Sequence, residues 1–178
     1  MKSLSMWGGA VAAVVLLAGT ALAGDAIYAG KVKTINADKK EVVLTADGKD
    51  STFKLADNVL INRGGKLTND LKPDDSVNVL YEKGVLTWTA RYFLIKEGDY
   101  KYCELERGAF KSMDADKKQL TLTDEAGHDV SFATGDAKVI LNKEDSKLEN
   151  YKIGDVTLAI VEKFADKVTL KAIMVDRK

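Results

Sequence analysis

The side chains able to do chemistry are few and scattered. One His, one Cys and one Pro occur in 178 residues, which excludes both a Cys/His zinc site and an internal disulfide framework. His128 follows Gly127 in a turn-like stretch, and no Ser or Cys stands at a spacing that would make it the base of a catalytic triad. The run Asp114-Ala115-Asp116-Lys117-Lys118 opens like a calcium loop and has Glu125 at its twelfth position. Lys118 and Gln119, however, fall where that loop needs an oxygen ligand and a glycine. Asp70, Asp74 and Asp75 suit turn hydrogen bonds better than a hydrolytic carboxylate pair. The chain is read as a non-enzyme without metal or cofactor.

Aromatic residues give the strongest local signal. Tyr81, Trp88, Tyr92, Phe93, Tyr100 and Tyr102 place six of the thirteen aromatics within 22 residues. Two readings fit them: a face that stacks sugars or bases, or a surface that packs one part of the chain against another. The candidate face is Tyr81, Trp88, Tyr92, Tyr100 and Tyr102. Along 85–95, Leu86, Trp88, Ala90 and Tyr92 fall on one side of an alternating strand, with Phe93 and Ile95 on the other. Apolar residues on both sides mark a strand covered on both faces.

The elements that must position these residues come in two copies. Residues 30–45 read GKVKTINADKKEVVLT and 108–123 read GAFKSMDADKKQLTLT, with eight of sixteen positions identical. The match continues through Gly48-Lys49-Asp50 with Gly127-His128-Asp129, Phe53 with Phe132, and Glu82-Lys83 with Glu162-Lys163. A tandem duplication with a period near 78–80 residues is the reading. It pairs His128 with Lys49, as expected of a solvated hairpin tip. Trp88 falls near Leu170 and Tyr81 near Ile160, an aliphatic replacement that favours packing over stacking.

Each copy reads as short strands: 29–35, 41–46, 49–55, 59–62, 76–82 and 85–95, then 107–113, 119–124, 128–134, 138–142, 155–162 and 167–175. Thr68 is placed to cap a single helical turn before Pro73. Such sets of strands are too small for a two-sheet sandwich, and closure removes their edges. The expected fold is all-β, two tandem small β-barrels of OB-like or SH3-like type. One larger barrel shared by both copies is the competing architecture.

The pattern running from Gly30 to Leu44, then Asp47-Gly48-Lys49, then Leu67 to Glu82 resembles the small β-barrel domains of unknown function in exported, often planctomycetal, bacterial proteins. Asp74 replaces the usual Gly after Pro73, and the second copy keeps Gly154 but has Ile153 in place of the Pro. The resemblance implies fold and export and carries no activity.

The N-terminus reads as an export signal over 1–23. Lys2 is its only charge, Ala10 to Leu17 is its apolar core, and Ala21 and Ala23 form the small-x-small site for signal peptidase. Retention as an anchor is the alternative, since Ser3 to Gly24 is uncharged. Behind it come a short segment 24–28, a first module 29–98, a junction 99–105 and a second module 106–178. The expected location is the periplasm or the exterior. Cys103, in the junction, is then either buried, in an intermolecular disulfide, or a reactive thiol.

Without the leader, 26 basic and 27 acidic side chains remain. That balance does not favour coating nucleic acid or anionic membrane. The expected role is a non-catalytic binding or envelope-associated accessory module, with another envelope protein or a second copy as partner. The alternative is an oligosaccharide- or single-stranded nucleic-acid-binding protein using the aromatic strand 81–102.

Overall fold

The computed structural model describes residues 24–165, 167–175 and 177. The chain is all-β. Its first unit comprises β1 (Asp25–Asn36), β2 (Glu41–Ala46), β3 (Lys49–Arg63), β4 (Lys66–Thr68), β5 (Ser76–Lys83) and β6 (Trp88–Ile95). β1 pairs antiparallel with β5 along Asp25–Lys31 and with β2 along Lys31–Asn36. β2 pairs with β3, β5 with β6, and the parallel pair β3–β6 closes the ring. A closed five-stranded barrel results, with β4 as a small flap on β3. A parallel closing pair is the connectivity of an OB barrel, and it excludes the wholly antiparallel SH3-like one.

The second unit has the same connectivity. β7 (Cys103–Asp114), β8 (Gln119–Thr123), β9 (Asp129–Ala133), β12 (Val156–Phe164) and β13 (Lys167–Val175) form the ring, and β10 (Lys138–Leu141) and β11 (Glu144–Asp145) extend it. β9 and β10 together correspond to the single long β3, since both run parallel to β13. In both units one glycine sits where the first strand leaves one neighbour for the next. A Cβ on Gly30 would lie 3.0 Å from the Thr45 carbonyl oxygen, and on Gly108 2.8 Å from that of Thr123. Only a residue without a side chain allows that approach.

Each barrel closes on its own core. Val32, Val42, Leu44, Phe53, Val77, Val79, Ala90 and Phe93 fill the first, and Phe110, Leu120, Leu122, Phe132, Ala159, Val161, Leu170 and Ile173 the second. A single shared barrel is thereby excluded. A third apolar cluster, Tyr92, Leu94, Cys103, Leu105, Leu158, Ile160 and Ala172, lies between them. Asn78 Oδ1 there accepts from the Leu105 N–H at 2.9 Å, so the first barrel satisfies a backbone donor of the second.

The expected strand boundaries shift in instructive places. The strand expected at 85–95 begins at Trp88, and Val85 and Leu86 are each 94% exposed in the preceding turn. A register shift opposite Arg91 moves Phe93 and Ile95 onto the same side as Ala90, inside the barrel, while Tyr92 and Leu94 face the junction. Strict alternation therefore assigns the wrong partners beyond the bulge. Residues 49–55 and 59–62 are one strand with a bulge rather than two. Thr68 ends β4 and accepts from the Asp70 N–H at 3.1 Å instead of capping a helical turn.

Candidate functional site

The aromatic residues expected to share one face occupy three places. Tyr81 and Trp88 meet at one end of the first barrel, with ring centroids 5.1 Å apart. Phe53 lies 5.2 Å from Tyr81 and 5.5 Å from Trp88, and Tyr28 adds an edge contact to Phe53 at 5.2 Å. Four strands thus each contribute one ring to a cluster of edge-on and tilted contacts. Tyr92 is elsewhere, buried at the junction, where its hydroxyl accepts from Asn62 Nδ2 at 2.8 Å. Burial pushes that phenol up to about 12. Tyr100 is partly buried in the same cluster and covers Gly65. Tyr102 is 48% exposed and leans on Phe164, itself 60% exposed, at 5.3 Å.

Trp88 is the member that reaches both core and solvent. Together with Glu41 from β2, Asp50, Ser51, Thr52 and Lys54 from β3, and Leu86 and Thr87 from the turn, it lines an open groove of about 380 Å³. The local sequence explains the lining. Val42, Leu44 and Phe53 point into the barrel, so Glu41, Thr52 and Lys54 must point out. The turn over 84–87 is closed by the Gly84 N–H donating to the Thr87 carbonyl at 3.0 Å. A Cβ on Gly84 would sit 2.6 Å from that oxygen, so glycine fixes the turn that carries Leu86 and Thr87 to the rim.

The groove is internally neutralised. Lys33 Nζ donates to Asp50 Oδ2 at 2.6 Å, and the Thr45 hydroxyl donates to Asp50 Oδ1 at 2.7 Å. Those bonds, Lys33 first, hold the Asp50 carboxyl below the usual carboxylate range. Lys40 is likewise engaged with Asp57 at 2.7 Å. Equivalent positions in the second barrel keep Phe132 for Phe53 but lack the other three aromatics. Pairing of Lys83 with Trp88 and of Lys163 with Val168 sets Trp88 against Val168, not Leu170. By the same register Tyr81 corresponds to Val161, and Tyr28 to Glu106.

The remaining candidates have plain structural places. Cys103 is fully buried in the junction, its thiol pushed up to about 11 by that burial. A disulfide to another chain from this position requires the junction to open. His128 is exposed at a hairpin tip, with Nδ1 3.4 Å from Asp124 Oδ2. Asp114 accepts from the Lys117 N–H at 2.9 Å, as Asn36 does from Lys39 at 3.0 Å, so both runs are hairpin turns. Among the described residues no three His, Cys, Asp or Glu side chains converge on a metal-sized site. Ala21 and Ala23 lie outside the described residues.

Asp75 anchors a partly buried charge cluster. Arg63 Nη1 and Nη2 donate to its two oxygens at 3.0 and 2.6 Å, and Nη2 also to the Asp70 carbonyl at 2.8 Å. In the second barrel Asp155 and the Asn150 carbonyl accept in the same way, but from Arg177, beyond β13. Neither arginine stands out in the sequence, because the two are not equivalent positions of the repeat. The same niche is filled once from the end of β3 and once from the segment beyond β13.

No protein-family model and no curated protein matches the chain. Among solved structures, a Cu(II)-bound tryptophan-to-alanine variant of CusF from Escherichia coli is 16% identical, with a TM-score of 0.33; the match covers 43% of this chain and 94% of that one.

Proposed function

We propose that this protein is an exported, non-catalytic binding module that grew from a doubled barrel unit and takes a neutral oligosaccharide in the Trp88 groove of its first barrel. The observation that carries the reading is the half-buried indole of Trp88 on a polar, charge-balanced groove. A sugar ring offers an apolar face to an aromatic side chain and hydroxyls to flanking carboxylates, amines and hydroxyls. Glu41, Ser51, Thr52 and Lys54 supply such partners. Strands 2 and 3 of an OB barrel and their flanking loops are a surface on which oligosaccharides and oligonucleotides bind. Between those two ligands charge decides: a phosphate backbone calls for several unpaired cations, whereas Lys33 and Lys40 are already paired and Lys54, the cation among the lining residues, stands opposite Glu41 in the β2–β3 pair. Asp50, held by Lys33 and Thr45, is poorly placed to shuttle a proton, which favours binding over hydrolysis.

The shared connectivity of the two barrels, the matched Gly30 and Gly108, and the matched Lys33–Asp50 and Lys111–Asp129 pairs support the doubling. The leader, uncharged beyond Lys2 and ending in the Ala21-x-Ala23 site, supports export. Fluorescence tests the binding directly. Trp7 and Trp88 are the two tryptophans, so Trp7→Phe leaves Trp88 as sole reporter. Titration with neutral oligosaccharides is expected to give a saturable change in emission that raised salt does not abolish and that Trp88→Ala abolishes. A response confined to single-stranded DNA and lost in salt would replace the sugar with a nucleic acid.

A further inference from the structure

The turn between β5 and β6 presents Val85 and Leu86 side by side, each 94% exposed, more than any other large hydrophobic residue described in that barrel, Leu67 at 68% being next. The fold does not need them there. The corresponding hairpin of the second barrel runs through Phe164 and Ala165, and the turn over 84–87 is held by its own backbone hydrogen bond. Two adjacent aliphatic side chains in water give this hairpin tip a small apolar contact point.

The place where the chain enters the barrel indicates which partner. The Lys83 N–H donates to the Gly24 carbonyl at 3.0 Å, and Asp25 pairs with Glu82. The first described residue is therefore held against the very hairpin that carries Val85 and Leu86. The stretch arriving there, Ser3 to Gly24, contains no charged residue, a composition that belongs at a bilayer during export or after it. Of the carboxylates around the hairpin, Asp25 and Glu82 are bridged by Arg91, and Asp50, which shares the groove with Leu86, is bridged by Lys33, which reduces their repulsion from lipid headgroups. Trp88 sits one residue behind the turn, and tryptophan is favoured at the membrane–water boundary.

From this juxtaposition we propose that the Val85-Leu86 tip dips into the lipid bilayer from which the leader emerges, setting the first barrel with its β5–β6 hairpin toward the membrane. The contact is apolar insertion, so uncharged lipid suffices. It uses the aliphatic tip; because Leu86 and Trp88 also line the groove, insertion sets the rim of the groove at the membrane surface, and the contact itself requires no sugar.

The full chain with Leu86→Cys, labelled with an environment-sensitive fluorophore, is reconstituted with phosphatidylcholine vesicles. A second variant carries the label at Glu144→Cys on the second barrel. Cys103, being buried, is left unlabelled in the native chain. The label at 86 is expected to shift its emission to the blue on adding vesicles and to lose intensity to nitroxide-bearing lipid, with neither effect at 144. Adding Val85→Glu should reverse the shift. Water-like emission at 86, or equal quenching at both sites, would overturn the proposal.

Discussion

At the scale of single residues, the two arginine–aspartate niches explain acidic side chains that could be mistaken for a site. Arg63 divides its donors among Asp75, the Asp70 carbonyl and Glu97. Arg63→Ala should cost about 2 kcal/mol in denaturant unfolding, since it strands a partly buried carboxylate. Arg63→Lys should recover little of this, because an ammonium does not supply the bidentate fork. In the second barrel, Arg177 holds the Asp155 carboxyl below the usual range. A lowered folded value means the stabilisation is complete above the ordinary carboxylate range and lost as pH falls through the lowered one. Acid unfolding of the native protein should show that loss below about pH 4, and Asp155→Asn should flatten the same limb. Cys103, with its thiol raised to about 11, should resist a thiol reagent at about pH 8 and react fully once the chain is denatured. Rapid reaction in the native state would place the thiol outside the junction.

At the scale of elements, the strands were legible where alternation was unbroken. Val77, Val79 and Tyr81 alternate into the barrel as their spacing predicts, and 167–175 has the expected bounds. The reading slipped at bulges. The irregularity opposite Arg91 inverts the phase of β6, which no pattern in WTARYFLI announces. The aromatic cluster was legible as a group of residues but not as a surface: three-dimensional pairing sent Tyr92 to the junction, Tyr102 outward, and only Trp88 to the groove. Glu41, Thr52 and Lys54 were hidden as ordinary outward positions of hairpin strands. The element with most to reveal is β6, which faces both the first core and the junction. Leu94→Ala, at a fully buried junction position, should cost about 2–4 kcal/mol. It should also separate the unfolding of the two barrels into two transitions in calorimetry, while a cavity in the first core such as Val79→Ala should lower that barrel's transition without uncoupling them.

At the scale of the whole molecule, two barrels of the same connectivity differ at one end. The first keeps Tyr28, Phe53, Tyr81 and Trp88 around an open groove, and the second puts Glu106, Phe132, Val161 and Val168 at the matching places. The third apolar cluster, with the Asn78 to Leu105 hydrogen bond, joins them over a surface drawn from both. A small barrel alone has a modest core, and docking a second against β5 and β6 stabilises the hairpin whose turn and first β6 residue, Trp88, line the groove. The division of labour that the proposed function implies is that the first barrel binds and the second supports. Amide hydrogen exchange on the intact chain, with and without a saturating neutral oligosaccharide, measures this most directly. Added protection is predicted in β2, β3 and residues 84–88, with β8, β9 and residues 164–168 unchanged. Protection centred on the second barrel, or none in either, would contradict it.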